Sequence, residues 1–433
     1  MYSRILNDII FYFDKGVLKS KPLNMGVSKI KVAMIMDTAF SFPPTTGFNY
    51  RLYHLTKYLQ KHGIEVIWVL PNRGVNSTED IKNLESTQIP MYILPVDIFY
   101  NKADIGKFIK DNQITVVQFE SAQTFMEIGV FLQESLNIPV LLEFHDIEAT
   151  LRETINAKES VEVLEYTQYI SSILADHIIC FTDLDKQHLL DRLYVPDDKI
   201  TLIPNGIREE DFPIMHADKS QTLVFVGNLF YLPNQESLVY ILDKVFPSIL
   251  EEYPNVKIKV IGMTPNSLIE RYQKSLNINF LGEITNQEIY LKELQSSLIG
   301  LSLIFSGSGM NIKNLNYAGA GLAIVTTPLG ANGYEYLSSL SIVEPEIDKI
   351  TDSIKLLLSD EKSTKEKGLS LRNETILWYN WNDISKNHIS ILEKISLYNI
   401  QDKYQVHTDL RPFWLQEKRV KKGKIEKTIR INL

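Results

Sequence analysis

Short apolar runs alternate with stretches of helical spacing along most of the chain. The runs at residues 30–36 and 64–70 are bounded by polar and turn-forming residues. Between them, Leu52, Leu55 and Leu59 recur at intervals of three and four residues, which places them on one face of a helix. Short continuous apolar runs are typical of strands that helices cover on both faces. The pattern therefore predicts an α/β fold with parallel sheets.

The same alternation occurs twice, with a polar interruption between the two occurrences. The first ends in Pro-Asn-Gly at residues 204–206, which favours a stiff exit followed by a turn. A chain of 433 residues has room for two domains with separate cores. The predicted divisions are an N-terminal amphipathic extension over residues 1–28 (a short helix and a linker), a first domain over 29–206, a second domain over 207–375, a helical segment over 376–400 and a basic tail over 401–433.

The strongest signal for ligand binding lies in residues 306–334, which read SGSGMNIKNLNYAGAGLAIVTTPLGANGY. Gly307 and Gly309 form a flexible turn between an apolar strand pattern and a helical pattern. Such a turn exposes backbone N–H groups that bind anions, and phosphate is the usual one. Lys313 lies four residues past Gly309 and adds a positive charge. This segment therefore predicts a phosphate site.

Other candidate contacts lie where predicted parallel strands end, because ligands bind at the carboxyl edge of such sheets. Gly47 lies in the loop after the first strand, and His145 directly follows a later one. Gly227 and Asn228 follow the first strand of the second domain, and Gly330 lies in a turn after its fifth strand. Each also has a plain structural explanation, as a turn glycine or a satisfied polar side chain, and spacing alone does not separate the two.

Taken together, these motifs resemble those of family-four glycosyltransferases, which are retaining nucleotide-sugar enzymes of the GT-B architecture. The resemblance covers about residues 29–398. It rests on Gly-Ser-Gly at 307–309, the lysine at 313, Ala-Gly-Ala-Gly at 318–321, Thr-Thr-Pro-Leu-Gly at 326–330 and Pro-Asn-Gly at 204–206. It implies a GT-B fold, in which two Rossmann-like doubly wound domains face each other across a cleft.

The resemblance also implies an activity and the residues that perform it. A sugar would pass from a nucleotide-sugar donor to a glycan, lipid-linked or protein acceptor, with retention, in cell-surface polysaccharide or glycoconjugate synthesis. Cleavage leaves negative charge on a diphosphate, which fixed donors stabilise, so no metal or other cofactor is expected. The expected catalytic residues are His145, which would contact the transferred sugar, and Lys313. The expected donor-binding residues are Gly47, Gly227, Asn228, Gly307, Ser308, Gly309, Asn316 and Gly330.

Two departures from the family pattern leave a second hypothesis open. Family members commonly carry two glutamates around the phosphate turn, at positions that Ser308 and Asn316 occupy here. A neutral amide binds a ribose hydroxyl less strongly than a carboxylate does. Residues 227–237 contain no arginine or lysine, so Lys313 would carry the phosphate charge alone or with help from Arg208. The alternative function is a non-catalytic GT-B partner of an active glycosyltransferase.

Composition excludes some other classes of protein. The formal net charge of -8 argues against a general nucleic-acid binder. The single cysteine, Cys180, suits a reducing cytoplasm and is expected to be a buried, inert thiol. An Asp-x-Asp triplet at residues 183–185 could bind a metal, but it opens a predicted helix, where acidic residues are ordinary capping partners.

The basic tail leaves two interpretations of location. Lysines and arginines crowd residues 418–430, just after Phe413 and Trp414. Such a tail is either solvated or attracted to anionic lipid, at roughly 1 kcal/mol per basic residue near the surface. No apolar run is long enough to span a bilayer. The sequence predicts a cytoplasmic protein, with peripheral contact at the inner face of the membrane as the open alternative.

Overall fold

The structure is a computed structural model. It describes residues 11–14, 17–20, 30–38, 40, 42, 44, 46–73, 78–147, 158–214 and 220–397. Over these residues the chain forms two α/β domains, each built around one sheet. The predicted fold class is therefore confirmed.

The first domain is built on a sheet whose strands from β3 onward run parallel. Its strands are β1 (Phe11–Asp14), β2 (Val17–Ser20), β3 (Lys31–Ile35), β4 (Glu65–Pro71), β5 (Met91–Leu94), β6 (Val116–Phe119), β7 (Val140–Glu143), β8 (His177–Cys180) and β9 (Ile200–Leu202). Their order across the sheet is β1-β2-β5-β4-β3-β6-β7-β8-β9. Residues 32–35 of the central strand β3 are fully buried, which explains why its sequence is a continuous apolar run rather than an alternating one.

Helices cover both faces of this sheet. They are α1 (Gly47–Lys61), α2 (Thr78–Ser86), α3 (Val96–Phe99), α4 (Lys102–Asp111), α5 (Ala122–Thr124), α6 (Val130–Leu136), α7 (Lys158–Leu174) and α8 (Asp183–Asp191), with a π-helical turn at Phe125–Gly129 and a 3-10 turn at Asp197–Lys199. Thr46 caps α1 by accepting a hydrogen bond from the backbone N–H of Asn49. That cap starts the helix at Gly47, directly after the loop that follows β3.

The N-terminal extension differs from the short helix and linker predicted within residues 1–28. Its described residues form β1 and β2, an antiparallel pair in which Phe11 lies opposite Ser20. β2 then pairs antiparallel with β5 at the edge of the sheet. The helix prediction is wrong here, because aromatic and β-branched residues on either side of a two-residue break favour a hairpin, and the sheet offers an edge for it to extend.

The second domain is built on an all-parallel sheet. Its strands are β10 (Thr222–Val226), β11 (Lys257–Ile261), β12 (Ile278–Gly282), β13 (Ile299–Ser302), β14 (Ala323–Thr326) and β15 (Ser341–Ile342), in the order β12-β11-β10-β13-β14-β15. Its helices are α9 (Leu232–Tyr240), α10 (Phe246–Glu252), α11 (Asn266–Tyr272), α12 (Gln287–Gln295), α13 (Lys313–Gly319), α14 (Ile347–Ser359) and α15 (Glu361–Trp378), with a π-helical turn at Ile241–Val245 and a 3-10 turn at Glu209–Asp211 ahead of the sheet.

A last helix, α16 (Trp381–Ser396), returns to the first domain. It packs against α1, β6 and β7. Just before it, the backbone of Ile207 donates to the carbonyl of Tyr379 at 2.7 Å and accepts from the N–H of Trp381 at 3.1 Å. These bonds join the return segment to the junction between the two domains.

No described helix is both long enough and apolar enough to cross a bilayer. The predictions for the basic tail over 401–433, with Phe413 and Trp414, concern residues outside the described ranges.

Candidate active site

A cavity of about 590 Å³ lies between the carboxyl ends of strands from the two domains. The predicted residues that line it are Gly47, His145, Gly227, Asn228, Gly307, Ser308, Gly309, Lys313 and Asn316. The first two come from the first domain and the others from the second, so folding brings two distant parts of the chain to one place. A cavity of this volume is within the usual range for sites that bind small molecules.

Gly330 is the predicted residue that does not line the cavity. A side chain there would collide with the carbonyl of Ser302 and the hydroxyl of Thr326, so this glycine lets its turn pack against β13 and β14. Its carbonyl accepts a hydrogen bond from the Asn314 side chain at 2.8 Å. The structure gives Gly330 a packing role, and the neighbouring Leu329 lines the cavity. A ligand contact at Gly330 stays a prediction.

The turn at residues 306–309 has the backbone that its glycines predicted. Gly307 has a φ of 125° and Gly309 a φ of 71°, conformations that residues with side chains rarely adopt. A Cβ atom on Gly309 would also lie 2.7 Å from the carbonyl oxygen of His145, in the opposite domain. Between the two glycines, the buried hydroxyl of Ser308 has no hydrogen-bond partner among the described residues. The turn therefore presents an unsatisfied polar group beside the cavity.

Lys313 is a buried lysine without a carboxylate partner among the described residues. Its ammonium donates to Asn234 Oδ1 at 2.7 Å and lies 4.5 Å from the centre of the Phe225 ring. Burial lowers the pKa of Lys313 to about 7. No other lysine or arginine lines the described part of the cavity. Its charge is therefore poorly compensated until an anion binds.

Asn316 and Arg208, which the sequence suggested for donor binding, both have partners within the protein. Asn316 lines the cavity, and its side chain is hydrogen-bonded to that of Tyr290. Arg208, which the sequence suggested as a helper for the phosphate charge, instead pairs with Asp211 and does not line the cavity. Tyr231 lines it instead, with its hydroxyl oxygen 3.9 Å from where a Cβ atom on Gly307 would lie.

His145 lies on the first-domain wall of the cavity, where β7 ends. Its Nε2 is hydrogen-bonded to Glu120 Oε2 at 2.8 Å, and its side chain is 18% exposed. The ring packs between those of Phe48 and Phe181, at centroid distances of 4.5 and 5.1 Å. The imidazole is therefore held in place on three sides while one part of it reaches the cavity.

Behind His145 lies a buried ion pair that the sequence did not reveal. Arg51 donates from Nε to Glu143 Oε1 at 2.6 Å and from Nη2 to Glu143 Oε2 at 3.2 Å, and neither side chain is exposed. Burial alone would raise the pKa of Glu143, but the Arg51 guanidinium holds it below its ordinary value. Arg51 also donates to the carbonyl of Pro204 at 2.8 Å, so the pair extends to the junction between the domains.

Glu120, Glu143 and His145 bring three metal-binding groups within 4.8 Å of one another. Each group already has a partner, because Arg51 neutralises Glu143 and Glu120 is bonded to His145. These groups thus form a hydrogen-bonded network around the buried Arg51–Glu143 ion pair. The expectation of a metal-independent enzyme stays a prediction.

The Asp-x-Asp triplet lies closer to the phosphate turn than its position in the chain suggested. Thr182 caps α8 by accepting from the backbone N–H of Asp185 at 3.1 Å, as the capping interpretation requires. The Asp185 carboxyl also accepts a hydrogen bond from the backbone of Gly309, across the interface between the domains. Burial raises the pKa of Asp185 to about 7. Asp185 therefore belongs to the contact between the two walls, which its chain position concealed.

Comparison with protein families assigns both domains. Residues 45–211 match the family described as Glycosyltransferase Family 4, and residues 220–360 match the one described as Glycosyl transferases group 1. The first match covers residues of the first-domain wall of the cavity, and the second match covers residues of the second-domain wall. The fold and the site define a glycosyltransferase of the GT-B class.

Similar proteins agree with this class. The chain is 22% identical to the GPI3 component of a phosphatidylinositol N-acetylglucosaminyltransferase from Saccharomyces cerevisiae, over 84% of this chain and 83% of that protein. It is 21% identical to a phosphatidylinositol N-acetylglucosaminyltransferase component from Homo sapiens, over 84% of this chain and 76% of that protein. The chain thus belongs to the glycosyltransferases related to family 4, and it is an enzyme of that type.

Solved structures show the same fold. HepE of Anabaena in complex with UDP-glucose superposes with a TM-score of 0.66 at 12% identity, over 84% of this chain and 100% of HepE. A sucrose-phosphate synthase from Thermosynechococcus elongatus gives a TM-score of 0.66 at 15% identity, over 84% and 99% of the chains. The predicted GT-B fold is confirmed.

Proposed function

We propose that this enzyme transfers a sugar from a UDP-sugar, bound in the cavity between its domains, to a lipid-linked acceptor at a membrane surface. The observation that carries the proposal is Lys313. Among the described residues, this buried ammonium contacts a neutral amide and an aromatic face and no carboxylate, which is costly because burying a charge requires a compensating one. A diphosphate in the cavity would supply that compensation.

Other features of the second-domain wall support a diphosphate. Gly307 and Gly309 keep the turn free of side chains, and the Ser308 hydroxyl lacks a partner among the described residues. Phosphate oxygens accept hydrogen bonds from such groups. Negative charge develops on the leaving diphosphate, so donors placed there in advance stabilise the transition state. Lys313 would act as the charged donor in this step and His145 would contact the sugar, in a retaining reaction that needs no metal.

The choice of nucleotide and acceptor draws on similar proteins. HepE, which shares the fold, was solved with UDP and with UDP-glucose. The yeast and human relatives are named for transfer of N-acetylglucosamine to phosphatidylinositol. We therefore take UDP as the nucleotide, UDP-N-acetylglucosamine as the first donor to test, and an acceptor carried on a lipid.

The test is calorimetric titration of the purified protein with UDP, GDP, ADP and CMP, using Lys313→Ala and a matched control. Lys259→Ala is that control, since Lys259 pairs with Glu293 in the same domain and does not line the cavity. We expect UDP alone to bind at about micromolar strength, with the affinity lost in Lys313→Ala and kept in Lys259→Ala. If the folded protein binds none of the four, the donor site is not functional, and the non-catalytic partner becomes the better hypothesis.

A further inference from the structure

A chain of three hydrogen bonds, two of them buried and the third partly buried, runs from α16 to the wall of the cavity. His388 Nε2 lies 2.9 Å from Gln118 Oε1, Gln118 Nε2 donates to Glu120 Oε1 at 2.8 Å, and His145 Nε2 lies 2.8 Å from Glu120 Oε2. His388, Gln118 and Glu120 are at most 5% exposed. His145 is the member of the chain that reaches the cavity.

The chemistry of these groups gives the chain a direction. A Gln118 amide nitrogen can only donate, so Glu120 Oε1 accepts and Gln118 Oε1 is left to accept from His388. An ionised Glu120 can only accept at its other oxygen as well, so the bond there requires a proton on His145 Nε2. Burial and the nearby Glu143 carboxylate raise the pKa of Glu120, and the hydrogen bonds from His145 and Gln118 oppose that rise by favouring the ionised form. With Glu120 ionised, both ends of the chain donate toward it.

We propose that Glu120 is a positioning residue for His145, holding the imidazole with its Nε2–H turned into the protein and its Nδ1 lone pair available to a hydroxyl group of the bound sugar. Phe48 and Phe181 pack against the ring and help to hold it in this orientation. The sugar contact rests on the proposed function. The orientation and the tautomer of His145 do not, because they follow from the protein's own contacts.

Glu143 and His388 also lie near His145 or its chain of hydrogen bonds, but both have other partners. Glu120 is therefore the group that decides which ring nitrogen of His145 carries the proton. Glu143 Oε1 lies 3.7 Å from His145 Nε2, beyond hydrogen-bond distance, and is bonded to Arg51. Burial lowers the pKa of His388 to about 4, so that side chain enters the chain as a neutral donor. A carboxylate behind a histidine fixes its tautomer and orientation in many enzymes, without touching substrate.

The tautomer can be read directly in the ligand-free protein. Long-range proton–nitrogen correlation spectra of protein labelled with nitrogen-15 histidine distinguish the two neutral forms, and His145→Gln identifies the His145 signals among the eight histidines. We expect the Nε2–H form in the wild type. In Glu120→Gln, the charge that favours the Nε2–H form is lost and the new amide nitrogen can donate to His145 Nε2, so we expect an increased share of the Nδ1–H form. A wild-type His145 in the Nδ1–H form, or a Glu120→Gln spectrum unchanged at His145, would overturn the proposal.

A matched variant separates positioning from loss of a buried charge. Glu165 is 4% exposed and pairs with Arg192 in the same domain, away from the cavity. Glu165→Gln makes the same chemical change and should leave the His145 tautomer as in the wild type. If both variants change the tautomer alike, general loosening of the domain is the cause and the proposal fails.

Kinetics with UDP-N-acetylglucosamine as probe give a second readout. Because His145 faces the sugar and Lys313 the phosphates, Glu120→Gln should lower kcat by about tenfold and leave the dissociation constant for UDP within about twofold. A loss of UDP binding equal to the loss of kcat would contradict a positioning role. A wild type that neither binds UDP nor turns over the donor would refute the proposed function alone, since the tautomer measurement still decides the role of Glu120.

Discussion

The two walls of the cavity handle charge in opposite ways. On the second-domain wall, Lys313 lies beside the glycine turn and has no carboxylate partner among the described residues. On the first-domain wall, Arg51, Glu143, Glu120 and His145 form a network in which each charged group has a partner. The second-domain wall therefore has a positive charge that an anionic ligand can neutralise. The first-domain wall is complete without a ligand, so it is suited to holding a side chain in position.

This difference assigns the walls different parts of one reaction. The affinity for the donor should depend mainly on the second-domain wall, where a ligand's negative charge compensates for the hydration that the Lys313 ammonium loses on burial. Stability and the placement of His145 should depend mainly on the first-domain wall. Substitutions on one wall should therefore change one property and spare the other.

The largest effect is expected from breaking the buried ion pair of the first wall. Arg51→Met would leave Glu143 buried without its partner, which costs about 3–5 kcal/mol of unfolding free energy. Urea unfolding followed by circular dichroism measures this loss. Arg73→Met is the control, because the Arg73 side chain of the Arg73–Asp37 pair is exposed to solvent, and exposed pairs contribute little to stability. Equal losses in the two variants would show that the buried pair has no special role.

The contact between the walls should make stability depend on pH through Asp185. Its pKa is raised to about 7 in the folded protein, so the stability that its proton contributes is present in acid and is lost as pH rises through 7. The loss is roughly 4 kcal/mol at most. We expect the melting temperature of Asp185→Asn to fall less between pH 5 and 8 than that of the wild type. Parallel curves for the two proteins would assign the pH dependence to other groups.

The affinity for the nucleotide should depend on pH through Lys313, which lies in the second domain. Its pKa of about 7 means that the free protein loses the ammonium charge as pH rises above 7, while a bound diphosphate favours it. We expect UDP to bind about tenfold more weakly for each pH unit above 7, with proton uptake on binding. Calorimetry in two buffers of different ionisation enthalpy measures that uptake. Lys313→Ala should show none, and a wild type without proton uptake near pH 8 would contradict the interpretation.

The smallest effect is expected at Ser308. Its unpartnered hydroxyl would bond the diphosphate, so Ser308→Ala should weaken UDP binding by about 0.5–1.5 kcal/mol and leave the melting temperature of the free protein unchanged. Ser306→Ala is a useful comparison, because the Ser306 hydroxyl already donates to Glu236 at 3.2 Å. A lower melting temperature with unchanged UDP affinity in Ser308→Ala would give this hydroxyl a structural role instead.

Local patterns were enough to predict the fold and most of the second-domain wall. Buried strands are continuous apolar runs, and the turn at Gly307 and Gly309 requires residues without side chains, so both can be read from neighbouring positions. Lys313 follows that turn at a fixed spacing. The same reasoning failed at Phe11–Asp14, because a sheet edge formed elsewhere in the chain decided the structure of the extension.

Only the tertiary structure decided the first-domain wall. Arg51 and Glu143 are 92 positions apart, and Gln118 and His388 are 270 apart, so no local spacing relates them. In the sequence, Gln118 and Glu143 are single polar residues in otherwise apolar strands, whereas Arg51 and His388 are among several polar residues of amphipathic helices. Neither appearance distinguishes a satisfied core residue from one behind an active site. Since a buried charge depends on the partner that folding brings to it, the roles of these residues exist only once the sheet and α16 have packed together.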